Sequence, residues 1–185
     1  MGGAKYKIQV FYLYVSTILG SFLGFATSIV NTNFLSDADY GDVRYVQNLI
    51  TLLASLLLFG YFLSGSRLLA LSTNRGYSSR VRGAMVVVLA ICSLILIALT
   101  SISAFLHRDS GTMSLFLVSL PVCMYPLFTN YINTTAQGDN HIGRLAISRV
   151  LPALLYVPIA YFLYSRITVT SSMMVLLQWG VYCLV

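Results

Sequence analysis

Five long apolar runs, and the start of a sixth, occupy most of this chain of 185 residues. Each complete run is about 20 residues long or longer, which is the length an α-helix needs to cross the hydrocarbon core of a bilayer. The composition agrees, since 58% of the residues are hydrophobic and 9% are charged, whereas soluble domains carry about 25% charged residues. The chain is therefore predicted to be an all-α, polytopic membrane protein.

The polar gaps between the runs set the expected helix boundaries. They predict about six transmembrane helices in a single bundle over residues 1–185, at 8–35, 45–71, 84–106, 113–135, 145–164 and 172–185. Membrane β-strands are excluded because they alternate apolar with polar residues over about 9–11 positions. Residues 72–82 form the longest polar stretch, which predicts a loop with room for a short surface helix. Because the sixth run is incomplete, we expect this bundle to be the front part of a longer transporter.

Lysine and arginine are unevenly distributed between alternate gaps. Eight lie before the first run or in the second-to-third and fourth-to-fifth gaps: Lys5, Lys7, Arg67, Arg75, Arg80, Arg82, Arg144 and Arg149. Three lie in the remaining gaps: Arg44, Arg108 and Arg166. Loops rich in these residues stay on the cytoplasmic side. The bias predicts a multi-pass protein of the bacterial inner membrane with its N-terminus in the cytoplasm.

Several function classes lack their signatures in this sequence. Cys92, Cys123 and Cys183 lie within apolar runs without CxxC spacing, which argues against a disulfide framework and a zinc site. No nucleotide-binding loop and no Ser/His/Asp arrangement is present, and the basic residues belong to no nucleic-acid-binding module. We therefore expect no enzymatic activity, no metal or other cofactor, and no nucleic-acid partner.

The first helix carries a polar face at membrane depth. Its small and polar residues recur at spacings of three and four, which places them on one side of a helix; they are Thr17, Ser21, Gly24, Ser28 and Asn31. Small residues allow close helix packing, and a polar face also suits the wall of a hydrated cavity. Both interpretations stay open, and Asn31 is the candidate for contact with a ligand.

The fourth helix carries a second polar face. Asn130, Asn133 and Gln137 are spaced at i, i+3 and i+7, and Tyr125 precedes them by more than one turn. Pro121 and Pro126 lie nearby, and a proline kink is tolerated in a bilayer where neighbours or water satisfy the backbone. This pattern indicates a helix beside a cavity, with Tyr125 and Asn130 as candidate binding residues.

Two arginines near helix ends are candidate ligand contacts. Arg44 is followed one turn later by Gln47 and Asn48, and Arg149 lies within the fifth apolar run beside Ser148. Arginine at membrane depth is costly and usually marks a transport path or a ligand. Near a helix end it also serves as an interfacial anchor, because its side chain can extend to the headgroups. The candidate substrate-binding residues are therefore Arg44, Asn48 and Arg149, together with Asn31, Tyr125 and Asn130.

Two segments resemble a known family. They are FLSDADYGDVRYVQNLITLLASLLLFG, residues 34–60, with an acidic-Tyr-Gly motif before the second helix, and NTTAQGDNHIGRLAISRVLPALLYVP, residues 133–158, with its Gln-Gly step. The chain resembles the N-terminal part of polysaccharide or O-antigen flippases of the multidrug/oligosaccharidyl-lipid/polysaccharide exporter superfamily. The resemblance implies two helical bundles around a central cavity, and transport of an undecaprenyl-pyrophosphate-linked oligosaccharide to the outer leaflet by alternating access. It also implies membrane lipids, a polysaccharide polymerase and glycosyltransferases as partners, and no transport by one bundle alone.

Other functions remain as alternatives. A drug/cation antiporter of the same superfamily would carry an acidic residue within a helix, and every Asp of this chain lies in a predicted loop. A sugar-transferase or polymerase fragment is a further alternative, but a polymerase would carry a large polar outer loop, and the outer loops here are short. A non-transporting membrane partner in polysaccharide assembly also fits the composition.

Overall fold

The computed structural model describes residues 3–72, 74–108, 111–139 and 141–184. Within these ranges most of the backbone is helical, and there is no strand. The helices are α1 (Gly3–Phe34), α2 (Asp37–Leu58), α3 (Tyr61–Leu71), α4 (Arg75–Leu106), α5 (Met113–Ser119), a 3-10 helix (Leu120–Val122), α6 (Tyr125–Gly138), α7 (Ile142–Tyr164) and α8 (Ser171–Leu184). The predicted all-α, polytopic membrane fold is confirmed.

Four helical segments of the described chain are long and apolar enough to cross a membrane, judged by length and composition. They are Phe11–Phe34, Arg75–Leu106, Met113–Gly138 and Leu145–Tyr164; α2 and α3 add a fifth if the bent pair counts as one span. These five segments correspond to the first five predicted helices. α8 has 14 residues, fewer than the roughly 20 that span the hydrocarbon core, so the predicted number of about six is approximate.

The second predicted helix, 45–71, differs from the structure at its start and in its middle. α2 begins at Asp37, because the Ser36 side chain caps it by accepting a hydrogen bond from the Asp39 backbone N–H. Phe59 and Gly60 then adopt positive φ angles of 38° and 75°, and α3 is bent by 52° from α2. Glycine adopts such a conformation at no steric cost. The predicted helix over 45–71 was continuous and did not include this break.

The polar stretch at residues 72–82, predicted to be a loop with room for a short surface helix, is helical from Arg75 and continuous with the apolar part of α4. α4 begins at Arg75, where the Asn74 side chain accepts a hydrogen bond from the Gly76 N–H at 2.9 Å. Asparagine is a strong N-cap residue, and arginine has a high helix propensity. The apolar part of α4 is therefore preceded by a polar helical extension of about two turns.

The fourth predicted helix is interrupted at its prolines, as expected. Pro121 lies in the 3-10 helix, and Pro126 lies in the first turn of α6. Both positions suit a residue that has no backbone donor and a fixed φ. In α7, by contrast, Pro152 and Pro158 lie inside a continuous helix.

The helices form two packed groups. The larger group comprises α2 to α6 and α8, and its core includes Val43, Ile50, Phe62, Met85, Leu96, Phe116, Leu127 and Met174. The smaller core is formed by Tyr156, Ala160 and Tyr164 of α7 with residues of α1 and α8. α1 packs mainly along α7 and makes few contacts with α2. Large apolar side chains remain exposed on the outer faces of both groups, as expected for helices that contact lipid.

Contacts between helix ends show that successive spans run in opposite directions. At one end, Arg82 near the start of α4 pairs with Asp139 after α6, with 2.8 Å between Nη2 and Oδ1. At the other end, Tyr45 of α2 bonds to His107 after α4, and Ser171 of α8 donates to Asp39 of α2. The arginine-rich gap before α4 and the arginine-rich gap after α6 therefore meet at one end of the molecule.

Candidate functional site

Arg149 connects α7 to the polar face of α1. Its Nη1 donates a hydrogen bond to Thr17 Oγ1 at 3.3 Å, and its side chain is exposed. The Thr17 hydroxyl itself donates to the Leu13 carbonyl oxygen of its own helix. One turn further along α1, a Cβ placed at Gly20 would lie 3.8 Å from the Arg149 carbonyl oxygen. The backbones of α1 and α7 therefore lie close together beside the guanidinium, at a distance that would also accommodate a Cβ.

A cavity of about 420 Å³ opens beside Arg149. Its wall includes Asn130, Asn133 and Gln137, which lie on one face of α6 as their spacing predicts. Besides Arg149, the rest of the wall comes from Thr134 of α6, Ser55 and Leu58 of α2, Gly60, and Phe62 and Leu63 of α3. The break between α2 and α3 therefore lies at the edge of this cavity, and three carboxamides face it together with one guanidinium.

A second cavity of about 230 Å³ adjoins the first, because Arg149 and Asn133 line both. Its other lining residues are Gly20, Gly24, Tyr125, Thr129, Ser148, Pro152, Ala153 and Tyr182. Ser148 donates a hydrogen bond to Asn133 Oδ1 at 3.3 Å, which joins α7 to α6 across the wall. We call these two adjoining cavities the Arg149 chamber.

Arg44 lies in a network of neutral partners. Its Nε donates to the Tyr40 hydroxyl at 2.8 Å, its Nη2 to Ser28 Oγ at 3.3 Å and its Nη1 to Gln47 Oε1 at 3.4 Å. The guanidinium carbon lies 5.0 Å from the centroid of the Tyr40 ring. Gln47 Nε2 in turn donates to Gln178 Oε1 of α8 at 3.2 Å. We call Arg44, Tyr40, Ser28, Gln47 and Gln178 the Arg44 cluster.

A polar stripe on α2 leads from the Arg44 cluster to the Arg149 chamber. Arg44, Asn48, Thr51 and Ser55 follow at spacings of four, three and four, so they share one helix face. Asn48, Thr51 and Ser55 are exposed, and Ser55 lines the chamber. Because Arg44 bonds to Ser28 and Arg149 bonds to Thr17, both arginines lie against the polar face of α1.

Asn31 is fully buried and lines neither cavity of the chamber. Its Oδ1 accepts a hydrogen bond from the Tyr156 hydroxyl at 2.6 Å, and that hydroxyl lies 3.1 Å from the Tyr164 hydroxyl. Within the described chain, its Nδ2 has no hydrogen-bond partner. Both interpretations of the α1 face therefore hold in part, since Thr17 contacts the arginine of a cavity while Asn31 packs against α7.

The six predicted site residues divide among three environments. The chamber is lined by Tyr125, Asn130 and Arg149. The α2 stripe contains Arg44 and Asn48, and Asn31 is buried. Gln178, which bonds to Gln47, and Tyr182, which lines the chamber, were not predicted from the sequence. Their polar spacing of four residues within the sixth apolar run was the available signal, and it resembles the spacing that singled out α1 and α6.

The chamber has a positive charge without a matching acid. No Asp or Glu is among the residues that line its two cavities, and Asp139 pairs with Arg82 at the end of α6. No group of three or more His, Cys, Asp or Glu residues that could hold a metal ion occurs among residues the structure describes. A guanidinium bordered by carboxamides and hydroxyls suits an anionic ligand that also carries hydroxyl groups.

Comparison with known proteins gives a family match over nearly the whole chain. The model of the family described as "Polysaccharide biosynthesis protein" matches residues 8–179. No curated protein and no solved structure matches the chain. The matched residues include both segments, 34–60 and 133–158, that carry the resemblance in the sequence, and the resemblance is thereby confirmed at the level of the family.

Proposed function

We propose that this chain, which belongs to the polysaccharide biosynthesis protein family, takes part in moving a lipid-linked oligosaccharide across the bacterial inner membrane. The substrate is an undecaprenyl-pyrophosphate-linked sugar repeat, which passes from the inner to the outer leaflet for surface polysaccharide synthesis. The observation that carries this proposal is that Arg149 lines a polar chamber while Arg44 bonds to the same face of α1, and the described hydrogen bonds of both arginines go to neutral groups.

The chemistry of such a headgroup matches the Arg149 chamber and the Arg44 cluster. A pyrophosphate carries negative charge that is costly to place at membrane depth, and arginine offers it both charge and a planar set of donors. Sugar hydroxyls both donate and accept, as do the carboxamides of Asn130 and Asn133 that line the chamber. The prenyl tail requires no polar partner and stays in lipid. In this proposal the chain is a transporter, not an enzyme.

The proposed orientation places the Arg149 chamber towards the cytoplasm. It rests on the eight-to-three bias of lysine and arginine, and the structure brings Arg82 and Asp139 together at the same end of the molecule. The test is a cysteine at Ser79, an exposed position near the start of α4. Labelling by a membrane-impermeant thiol reagent is expected in inverted vesicles only, and labelling from outside intact cells would contradict the orientation.

A deletion strain tests the transport activity. Without the protein, surface polysaccharide is expected to disappear while lipid-linked oligosaccharide accumulates with its sugar inaccessible from outside the inner membrane. Surface polysaccharide is measured by immunoblotting, and the lipid-linked oligosaccharide by extraction. Normal accessibility of that oligosaccharide together with reduced polysaccharide would favour the non-transporting assembly partner. Normal polysaccharide with increased drug sensitivity would favour the antiporter, although no acidic residue lines the chamber.

Binding to purified protein tests the role of the arginine directly. Farnesyl pyrophosphate serves as the probe, and farnesol serves as its uncharged control. Replacing Arg149 by alanine is expected to weaken pyrophosphate binding about 10- to 150-fold, since a hydrogen bond to a charged group contributes about 1.5–3 kcal/mol. Arg80→Ala is the matched control, because Arg80 is an exposed arginine that lines neither cavity. Equal binding by all three proteins would refute the assignment of Arg149.

A further inference from the structure

The smaller cavity of the Arg149 chamber has an aromatic wall. Tyr125 of α6 and Tyr182 of α8 both line this cavity of about 230 Å³, and their ring centroids are 5.4 Å apart. Tyr125 also packs against Trp179, and Tyr182 packs edge-to-face against Tyr156, each at 6.0 Å between ring centroids. Trp179 and Tyr156 are buried. Each ring that faces the cavity is therefore in contact with a buried aromatic side chain, which restricts its orientation.

Polar side chains line the same cavity. Thr129 and Asn133 follow Tyr125 on α6 at i+4 and i+8, so the three lie along one side of the helix, and all of them face the cavity. Ser148 of α7 also lines it and donates a hydrogen bond to Asn133 Oδ1 at 3.3 Å. That bond uses the carboxamide oxygen and leaves Asn133 Nδ2 to donate to a ligand. Two aromatic rings and a set of hydroxyl and carboxamide groups thus surround one space.

The size and position of this space limit what can occupy it. Its volume of about 230 Å³ is below the roughly 300–1,000 Å³ of pockets that hold drug-sized ligands, so it suits a single ring. Gly20 and Gly24 of α1 line it without side chains, and a Cβ added at Gly24 would meet no atom within 4 Å. Arg149 lines both cavities of the chamber. An anion bound to Arg149 therefore lies beside this space.

We propose that the smaller cavity binds one pyranose ring, namely the sugar attached directly to the pyrophosphate. We call Tyr125, Thr129, Asn133, Ser148 and Tyr182 the tyrosine site. A pyranose has C–H groups on its faces and hydroxyl groups around its edge. Aromatic rings offer apolar faces to the former, and hydroxyl and carboxamide groups both donate to and accept from the latter. The tyrosine site rests on the proposed function, because a pyrophosphate at Arg149 places the neighbouring sugar beside this cavity.

Other parts of a lipid-linked substrate match the tyrosine site less well. A prenyl chain would cover Thr129, Asn133 and Ser148 without offering them hydrogen bonds, and burying polar groups without partners is unfavourable. A phosphate group would bind Arg149 but would gain nothing from the two tyrosine rings. A sugar ring uses both the aromatic and the polar side chains that line the cavity.

The contribution of the sugar to binding tests this site. Purified protein is titrated calorimetrically with farnesyl pyrophosphate and with farnesyl pyrophosphate that carries glucose, galactose or N-acetylglucosamine. At least one sugar-carrying probe is expected to bind about tenfold more tightly than farnesyl pyrophosphate, since one aromatic contact and one neutral hydrogen bond together account for a gain of this size. The tyrosine site is overturned if none of the three sugars increases the affinity.

Two variants locate the sugar. Tyr125→Leu is expected to reduce the tenfold advantage to less than about threefold through loss of the aromatic contact, with the affinity for farnesyl pyrophosphate unchanged because Arg149 is retained. Tyr125→Phe keeps the ring and is expected to keep the advantage. Gly24→Leu leaves the tyrosines in place but puts a side chain into the cavity, and it is expected to abolish the advantage.

Gly83→Leu is the matched control for the glycine variant. Gly83 is an exposed residue of α4 that lines neither cavity, and a Cβ there also meets no atom within 4 Å. Its replacement is expected to leave the sugar advantage intact. An undiminished advantage in Tyr125→Leu or in Gly24→Leu would overturn the tyrosine site, and Gly24→Leu decides the outcome if the Tyr125 variant fails to fold.

The tyrosine site and the proposed function fail in different ways. If farnesyl pyrophosphate binds equally well to wild type and to Arg149→Ala while the sugar advantage depends on Tyr125, the sugar site stands and the assignment of the anionic headgroup to Arg149 does not. If binding of farnesyl pyrophosphate depends on Arg149 and no sugar adds affinity, the headgroup assignment stands and the tyrosine site is refuted.

Discussion

The Arg149 chamber and the Arg44 cluster present the same kind of side chain to the same face of α1, but the two arginines differ in how fully they are bonded. Arg149 has one described side-chain hydrogen bond, at 3.3 Å, and faces two adjoining cavities. Arg44 uses three of its nitrogens on three different neutral partners and lies over an aromatic ring. The Arg149 guanidinium is free to exchange its partner, and the Arg44 guanidinium is held in place.

This difference indicates which property of the arginine side chain matters at each position. At Arg149 the charge is the essential property, since a single weak bond to Thr17 is easily replaced by a bond to a ligand. At Arg44 the planar fork is also needed, because one rigid group satisfies three acceptors in different directions. The same residue type near a helix end thus acts as an open binding group in one region and as the centre of a network in the other.

The largest expected effect is the loss of the charge in the chamber. In the native strain, Arg149→Ala is expected to lower surface polysaccharide about 10- to 150-fold at normal protein level, because the headgroup loses a charge-assisted hydrogen bond. The measurement is quantitative immunoblotting of the polysaccharide, with protein level measured in the same membranes. Arg80→Ala, outside the chamber, is expected to have no effect. Near-normal polysaccharide in the Arg149 variant would return this residue to the role of an interfacial anchor.

The next largest effect distinguishes the charge of an arginine from the planar geometry of its guanidinium group. Arg44→Lys is expected to lower transport about tenfold, since lysine cannot serve Tyr40, Ser28 and Gln47 at once and each lost hydrogen bond costs about 1 kcal/mol. Arg149→Lys keeps the charge and is expected to cost no more than about threefold by the same reasoning. Both are measured as the rate of polysaccharide appearance. The comparison between the regions fails if the two lysine variants lose activity equally.

A smaller effect is expected in stability. The Tyr156 hydroxyl donates a hydrogen bond to Asn31 Oδ1 at 2.6 Å, and Asn31 is fully buried. Tyr156→Phe removes this hydroxyl. Leaving that amide without this donor is expected to reduce the free energy of unfolding by about 1–3 kcal/mol. Thermal unfolding in detergent measures the change. Tyr161→Phe is the control, because Tyr161 is exposed, and a change of equal size there would show that the buried bond is not the cause.

The smallest effect is expected outside the Arg149 chamber and the Arg44 cluster. Arg82 and Asp139 form an exposed ion pair at 2.8 Å, and such pairs contribute about 0.2–1 kcal/mol because water and salt screen them. Asp139→Asn is expected to change the unfolding temperature slightly at low salt and not measurably at high salt. A larger, salt-independent loss would mean that this pair holds α4 and α6 together, in contrast to Arg44 and Arg149.

Most of the fold was predictable because burial in a bilayer imposes one rule on every segment. Apolar runs of about 20 residues become helices, since no other local structure satisfies its own backbone in hydrocarbon. The break at Phe59 and Gly60 escaped prediction because it lies inside an apolar run. The helical start of α4 at Arg75 escaped it because a polar sequence fits either a loop or an extended helix.

The candidate site was predictable where polar residues repeat at helical spacing. The face of α6 with Asn130 and Asn133 lines a cavity because spacing along one helix determines which side chains share a face. Spacing does not determine which helix lies opposite. The contact of Arg149 with Thr17, and the position of Tyr182 against Tyr125, depend on packing between helices distant in sequence.

Two levels of organisation are therefore separable in this protein. The sequence by itself determined the membrane fold, the alternation of charged gaps, the polar faces of α1 and α6, and the family resemblance, because each follows from local composition and period. The tertiary structure alone decided that Asn31 is buried while Arg149 is open, and that Arg44 is held by three neutral groups. The physical reason is that burial and hydrogen-bond partners belong to pairs of helices, and a pair is specified by complementary surfaces that no single segment contains.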